Sequence, residues 1–575
     1  MICREIEKLV NNAASRAFPG EGLFDALVEV PRERAHGDYS ANIALQIAKK
    51  IGGNPADIAR KIAENMGKDG RIEKVEVIEP GFINFFLSEE ALEGEALSVL
   101  KEGKDYGSGE EGKGKTVVID YSSPNIAKSF GIGHLRSTII GQAIYNIYEF
   151  RGWKCIGDNH LGDWGTQFGK LICQIKEKKL KGSEKPREVL EKLTIEDLEN
   201  LYVDFHREAK DNPELEEKGR FWFEKLETGD EEAKEIWQLC VEKSLQEFNR
   251  IYDLLGIKID YALGESFYLN MLPEVVGELK EKKITKESDG AMVVDFSEEL
   301  PSLVAVKSDG ATTYLVRDLA AIKYRIENWS PDLFIYEVGA DQSLYFKQLF
   351  KTAELLGWKG KKSFIHIAHG LVRWKHGKFS TRKGETIHLE EILKEAVERA
   401  LKIIEESENA RGMSGEEKKK VAEMVGIGAV KYNDLSQHHR KDVVFSWEKT
   451  LNLKGNSGPY LQYTFARCKS VLRKGKFSSP EKVDFSGVNE EERIILGLTA
   501  QFKEVVKNAA DDFSPNIICN FLFELAQSFN LFYNNNRIIN KDGKIEERRM
   551  ALTGAVAQIL ENGLGLLGID APERM

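Results

Sequence analysis

The sequence predicts an α/β multidomain chain, with a nucleotide-binding core carrying a helical insertion, a small α/β domain before it and an all-α domain after it. Three observations lead there. Thr116 to Tyr121 is a β-branched run that reads as a buried strand, and it passes through Ser122–Pro124, Gly131 and Gly133 into helical apolar spacing over His134–Tyr148. Residues from about 174 to 255 are charge-rich with a 3.6-residue period. From about Glu416 the pattern is helical to residue 568. The expected domains are 1–110, 111–425 (with the insertion at about 174–255) and 426–575.

Composition narrows the function classes. At 575 residues, 30% charged and 9% aromatic, the chain is long and apolar enough for several packed cores rather than disorder. It contains no apolar run of about 18 residues, so no span across a membrane is expected. The start, MICREIEKLVNNAAS, reads as an amphipathic helix with acidic residues rather than a signal peptide. Six scattered cysteines without a CxxC fit the reduced thiols of a cytosol and predict no structural zinc site. A net charge of −11 argues against a protein that coats nucleic acid, although a single basic face suffices to bind one.

The first domain reads as two helices, Cys3–Arg16 and Ser40–Met66, flanking the turn-rich PRERAHGDY, then strands at Lys74–Ile78 and Gly81–Leu87. Phe82, Phe85 and Phe86 are expected to pack a core rather than stack on bases. The linker KEGKDYGSGEEGKGK closes this domain. In the core, a strand running into a glycine-bearing turn and a helix builds an anion site, because free N–H groups and the positive end of the helix dipole face the ligand. The motif is neither GxGxxG nor GxxxxGK[ST]. The strand Lys154–Gly157 leads into Asp158-Asn159-His160 and the polar loop Gly162–Gly169, where α/β folds bind ligands. Asn159, Asp163 and Gln167 are candidate substrate contacts, and Asp163 reads equally well as a helix cap.

Tyr314 and Asp318 are four residues apart and share a helix face. A guanidinium is a planar fork of donors, suited to a carboxylate with a polar or aromatic neighbour, which is what this pair offers. An intrahelical pairing of Asp318 with Lys323 or Arg317 is disfavoured by spacing. Gln342 follows the strand LFIYEVG at its carboxyl end. Lys378-Phe379-Ser380-Thr381-Arg382-Lys383-Gly384 is a cationic loop suited to neutralising phosphate charge. Between Lys431 and Lys482 stand eleven Lys and Arg against four acids, a basic island with Tyr460, Tyr463 and Phe465 interleaved.

In order and wording, these segments resemble class I aminoacyl-tRNA synthetases, and arginyl-tRNA synthetases in particular. The first phosphate motif, SPN(x)5FxxGHLRSTIIG, and the KFSTRKG loop, similar to KMSKS, carry the resemblance, together with HGDYSAN, GFINF and the Tyr314/Asp318/Gln342 set. It implies a Rossmann-like catalytic core, an N-terminal domain that contacts the tRNA elbow and an all-α anticodon-binding domain. It implies ligation of L-arginine to tRNA(Arg) through arginyl-adenylate, with ATP and Mg²⁺, no protein-held metal, a cytoplasmic location and a monomer. The family's arginine contacts fall on Ser123, Pro124, Asn125, His134, Asn159, Tyr314, Asp318 and Gln342. Its ATP contacts fall on Gly131, Gly133, His134, Lys378 and Ser380, with His134, Lys378, Arg382, Lys383 and Lys128 serving catalysis. The tRNA contacts fall on Tyr460, Tyr463 and Arg467.

One departure matters. Gly131 stands where the family usually has a histidine, which leaves open whether a backbone N–H or water replaces that imidazole or activity falls. Thr381 stands where KMSKS has its second lysine, a replacement common in arginyl-tRNA synthetases, and Lys383, Arg382 or Lys128 is expected to supply the charge. A class I enzyme of another amino-acid specificity would lack the guanidinium pair. A catalytically degenerate tRNA-binding paralogue has only Gly131 in its favour.

Overall fold

The computed structural model describes all residues except 1, 22–23, 32, 181–184, 298, 375–387, 408–409 and 541–542. Its contacts form two units, Met1–Ser108 with Ile403–Val425 and Asn452–Met575, and Gly109–Lys402 with Gly426–Leu451.

The second unit is organised on a parallel four-stranded sheet in the order Ser363–His369, Leu333–Gly339, Thr116–Asp120, Lys154–Asp158. Val117, Val118 and Ile119 are buried, as a strand covered on both faces requires. The second strand in sequence pairs on one side of Thr116–Asp120 and the third on the other. Connections therefore leave in opposite directions and open a crevice at the strands' carboxyl ends. The helix Ile132–Phe150 follows the first strand. Helices Thr166–Lys178, Ile195–Glu208, Glu214–Thr228 and Glu231–Leu255 include the expected insertion, whose own core gathers Cys173, Phe205 and Leu215. An antiparallel meander, Thr285–Ser288, Ala291–Val294 and Leu303–Val306, buries Val294 and Ala305 beside Leu315, Leu319 and Phe334.

The first unit holds an antiparallel sheet in the order Val28–Glu29, Tyr39–Ala41, Phe82–Leu87, Ile72–Ile78, together with the helices Gly458–Lys474, Glu490–Asp511, Asn516–Asn535 and Glu547–Leu566. Arg493 Nη2 reaches Asp38 Oδ2 at 2.7 Å, and Asn562 Nδ2 donates to the carbonyls of Gly103 and Tyr106 at 3.0 Å each. Phe85 is buried, whereas Phe82 is 37% exposed.

Three expectations change. The helix expected over Ser40–Met66 is a strand, Tyr39–Ala41, then two helices, Ile43–Ile51 and Pro55–Glu64. Gly52 and Gly53 take φ of +78° and +100°, Asn54 caps the second helix by accepting from Ala56 N at 2.8 Å, and Pro55 opens it. The helical run after Glu416 is interrupted by Val443–Phe445, which pairs in parallel with Val372–Trp374. Residues 426–451, expected in the all-α domain, stand instead in the sheet-bearing unit. Buried Arg136 donates to Asp434 Oδ1 at 3.0 Å and to the Lys441 carbonyl at 2.7 Å, and Lys431 Nζ donates to the Leu255 carbonyl.

Candidate active site

Two serines in a conformation rare for residues with a side chain stand where the first strand ends. Ser122 and Ser123 have φ of +74° and +45°. The surroundings hold them there. Ser122 N donates to Ser137 Oγ at 2.9 Å, and Ser122 Oγ lies 2.8 Å from both Thr138 Oγ1 and Tyr252 Oη. Ser123 N donates to Asn159 Oδ1 at 2.9 Å, and Ser123 Oγ donates to Asp120 Oδ1 at 3.1 Å. Asn159 Nδ2 donates to Tyr252 Oη at 3.0 Å, so the amide holds Ser123 through Oδ1 and reaches the neighbouring Ser122 through Tyr252. Pro124 is buried and Asn125 exposed, and Asn125 bridges Gly162 in parallel.

Asp120 and Asp158 are register partners at the ends of adjacent strands. Buried Arg325 lies between them, with Nη2 2.6 Å from Asp120 Oδ2 and Nε 2.9 Å from Asp158 Oδ2. Burial holds the Asp158 carboxyl above its ordinary range against the pull of Arg325. The triad ties both strand ends to the helix Tyr314–Trp329, the element that carries Tyr314 and Asp318.

Asp318 makes no pair along its own helix. Tyr345 donates its hydroxyl to Asp318 Oδ2, and His160 Nε2 stands 3.4 Å from Oδ1. His160 Nδ1 lies 3.1 Å from the Leu263 carbonyl. Burial pushes the imidazole pKa down, but the Asp318 carboxylate outweighs it and holds the ring at about 9. Beside them Arg317 Nη1 pairs with Glu265 Oε2 at 2.5 Å, with its guanidinium 5.4 Å from the centre of the Tyr314 ring. Burial raises the Glu265 carboxyl while Arg317 opposes. Tyr314 is 62% exposed, and Gln342 is exposed in the turn Ala340–Gln342 after its strand.

Asp163 does not cap the helix Thr166–Lys178, whose N-cap is Gly165. It accepts from Ser266 N at 2.8 Å and Ser266 Oγ at 2.6 Å, and so fixes the turn that presents Glu265. Gly264 makes this possible, because a Cβ there would stand 2.3 Å from the Asp163 carboxyl carbon. Gln167 Nε2 donates to the Trp164 carbonyl at 3.1 Å. His160, Glu265, Arg317 and Tyr345 were not singled out from the sequence. They come from four separate segments, so no local spacing in the sequence joins them.

At the other motif, Gly131 is the N-cap of Ile132–Phe150. Its N–H donates to His134 Nδ1 at 3.3 Å, which leaves the ring proton of a neutral imidazole on Nε2. Burial lowers the His134 pKa in keeping with that form. Gly133 is exposed in the first helical turn. Lys128 is exposed, its Nζ 5.7 Å from the centre of the Tyr202 ring. Lys378, Ser380, Thr381, Arg382 and Lys383 lie outside the described residues.

The first unit carries a cavity of about 920 Å³ lined by five cations, Arg467, Arg473, Lys474, Arg537 and Arg574, with Tyr463 and Tyr533. The Arg467 guanidinium sits 4.8 Å from the centre of the Tyr463 ring and 4.9 Å from that of Tyr533. Tyr460 lies apart, packed on Phe523 at 5.6 Å and accepting from Asn530 Nδ2 at 3.0 Å. The basic island is thus divided. Lys431 is buried in the sheet-bearing unit, while Arg537 and Arg574, distant in sequence, join the cavity.

Comparison with known proteins matches three family models: the arginyl tRNA synthetase N-terminal domain over residues 4–87, the class I (R) tRNA synthetase catalytic domain over 96–447 and the DALR anticodon-binding domain over 461–575. The chain is 44% identical to an arginine–tRNA ligase of Clostridioides difficile, over 96% of each chain, and 42% identical to one of Halothermothrix orenii, over 96% of this chain and 95% of that one. It is similar to the crystal structure of Plasmodium falciparum arginyl-tRNA synthetase, with a TM-score of 0.86 and 28% identity, covering 100% of this chain and 99% of that one. The Thermus thermophilus structure, at 24% identity and a TM-score of 0.83 over all of both chains, shares the fold.

Proposed function

Because the chain belongs to the arginyl-tRNA synthetase family and ligates arginine to tRNA using ATP, we propose a role for each part of the site. Asp318 takes the substrate guanidinium, with Tyr314 beside it on the same helix face. Ser123, Pro124, Asn125 and Gln342, at the carboxyl ends of neighbouring strands, hold the α-amino and carboxylate end. His134 donates from Nε2 to ATP at the N-terminus of Ile132–Phe150, with Gly131 and Gly133 leaving room for the nucleotide. Lys378, Ser380, Arg382, Lys383 and Lys128 complete the charge around the phosphates.

The substrate carboxylate attacks the α-phosphate, and pyrophosphate departs. A ribose hydroxyl at the end of the tRNA then attacks the arginyl carbonyl, and AMP departs. Neither step needs a protein nucleophile, so the chain contributes position and charge. The described residues include no group of three or more metal-ligating side chains. Mg²⁺ would arrive with ATP, carried by its phosphate oxygens, whose charge it would neutralise.

Arg467 between two tyrosines, in a cavity lined by five cations, supports a tRNA site in the DALR domain. The N-terminal domain is assigned to the tRNA elbow, the sheet-bearing unit of residues 109–402 and 426–451 to catalysis and the helices after 452 to the anticodon. Six scattered cysteines without a CxxC support a cytoplasmic location, and no described helix is long and apolar enough to cross a membrane. We take the protein to be a monomer that acts on tRNA(Arg), which light scattering checks.

The observation that carries the arginine assignment is Asp318, held by Tyr345 and facing His160 at the head of the crevice. Asp318→Ala leaves a guanidinium unpaired in a partly buried site, a loss on the order of 3 kcal/mol. The KM for arginine should rise about a hundredfold by that estimate, with the KM for ATP unchanged. An unchanged arginine KM would remove Asp318 from the site.

A further inference from the structure

We propose that His388 supplies, from across a strand pairing, the imidazole that Gly131 lacks, and that it donates to an anionic oxygen at the reacting centre. The inference rests on the synthetase reading above. Gly131 has φ −83° and ψ 165°, extended backbone that any residue adopts, so glycine is not demanded by conformation. Its N–H is committed to His134 Nδ1 at 3.3 Å, so that group does not replace the missing ring.

Gly131 and His388 form an isolated antiparallel bridge. The associated hydrogen bond runs between the flanking residues, Leu389 N to Phe130 O at 3.0 Å, rather than within the pair. A pair of this kind brings its Cα atoms to about 4.5 Å and points both side chains to one face. Gly131 places no side chain on that face, and His388 places an imidazole there. Because Gly131 is the N-cap of Ile132–Phe150, that face adjoins the helix end whose free N–H groups and dipole favour an anion. His388 is only partly buried. Two oxyanions meet at this centre, the α-phosphate of ATP and the carboxylate of arginine. Both accept an N–H donor, and the kinetics tell them apart.

The test is pyrophosphate exchange in the presence of tRNA, with native protein, His388→Ala, and His388→Ala combined with Gly131→His. Loss of one charge-assisted hydrogen bond is worth about tenfold. The single variant should therefore raise the KM of ATP or of arginine, or lower kcat, by about that factor, and the substrate whose KM moves identifies the oxyanion. Histidine at 131 should restore most of the loss. His388→Phe, which keeps the ring volume but no donor, should behave as the alanine variant, and His388→Gln should retain part of the activity. These two decide the matter if the alanine variant does not fold. All parameters within twofold of native in the alanine or phenylalanine variant, or no rescue by histidine at 131 in a folded protein, would reduce His388 to a packing residue. Arginine charging by the native protein is measured alongside, and its absence would sink the arginine reading rather than this one.

Discussion

His160 Nε2 faces Asp318 Oδ1 at 3.4 Å, so the carboxylate assigned to the substrate guanidinium already has a cation for company. Burial depresses the imidazole and Asp318 more than compensates, which places its pKa at about 9 against 6.5 in an unfolded chain. Between those values the folded ring holds a proton that an unfolded one would not. It therefore stabilises the fold fully below pH 6.5, and that contribution disappears as the pH rises through about 9. An arriving guanidinium competes for Asp318 and disfavours the charged ring. Arginine binding near pH 8 should release up to about one proton, seen by calorimetry in buffers of different ionisation enthalpy. His160→Gln should abolish the release, and proton uptake by the native protein would contradict the arrangement.

Gly264 and Asp163 are a second close pair. Gly264→Ala puts a methyl group about 2.3 Å from the Asp163 carboxyl and must break its two bonds to Ser266. The turn carrying Glu265 then shifts. We expect a loss of roughly 1–3 kcal/mol in stability by denaturant melting, with a raised arginine KM. A native melting midpoint together with native kinetics would show that the turn tolerates the shift.

The Arg467 guanidinium lies within cation–π reach of the Tyr463 and Tyr533 rings and donates to Asn530 Oδ1 in the cationic cavity. Arg467→Ala should weaken tRNA binding about tenfold and reduce the slope of log affinity against log salt by about one. Filter binding across a salt series measures both. A change in affinity with an unchanged slope would mean that Arg467 orders the tyrosines without meeting phosphate.

Much of the core was legible because its signals are local. The β-branched run at Thr116, the glycines at 131 and 133 and the helical spacing beyond them fall within one βα unit, and the structure forms that unit. Spacing also argued against an intrahelical partner for Asp318. It did not identify His160 and Tyr345, because contacts between separate segments leave no periodic trace. The same reason hid the contacts of Asn159 with Ser123 and Tyr252 and the arrival of Arg537 and Arg574 beside Arg467. The long helix expected over Ser40–Met66 failed on turn chemistry visible in Gly52-Gly53-Asn54-Pro55, where apolar periodicity on either side outweighed the break.

The chain joins arginine to tRNA. The most direct measurement is aminoacylation of total tRNA by the purified protein with each labelled amino acid in turn. Charging by arginine alone is the expected result. Charging by another amino acid, or tRNA binding with no charging at all, would contradict it.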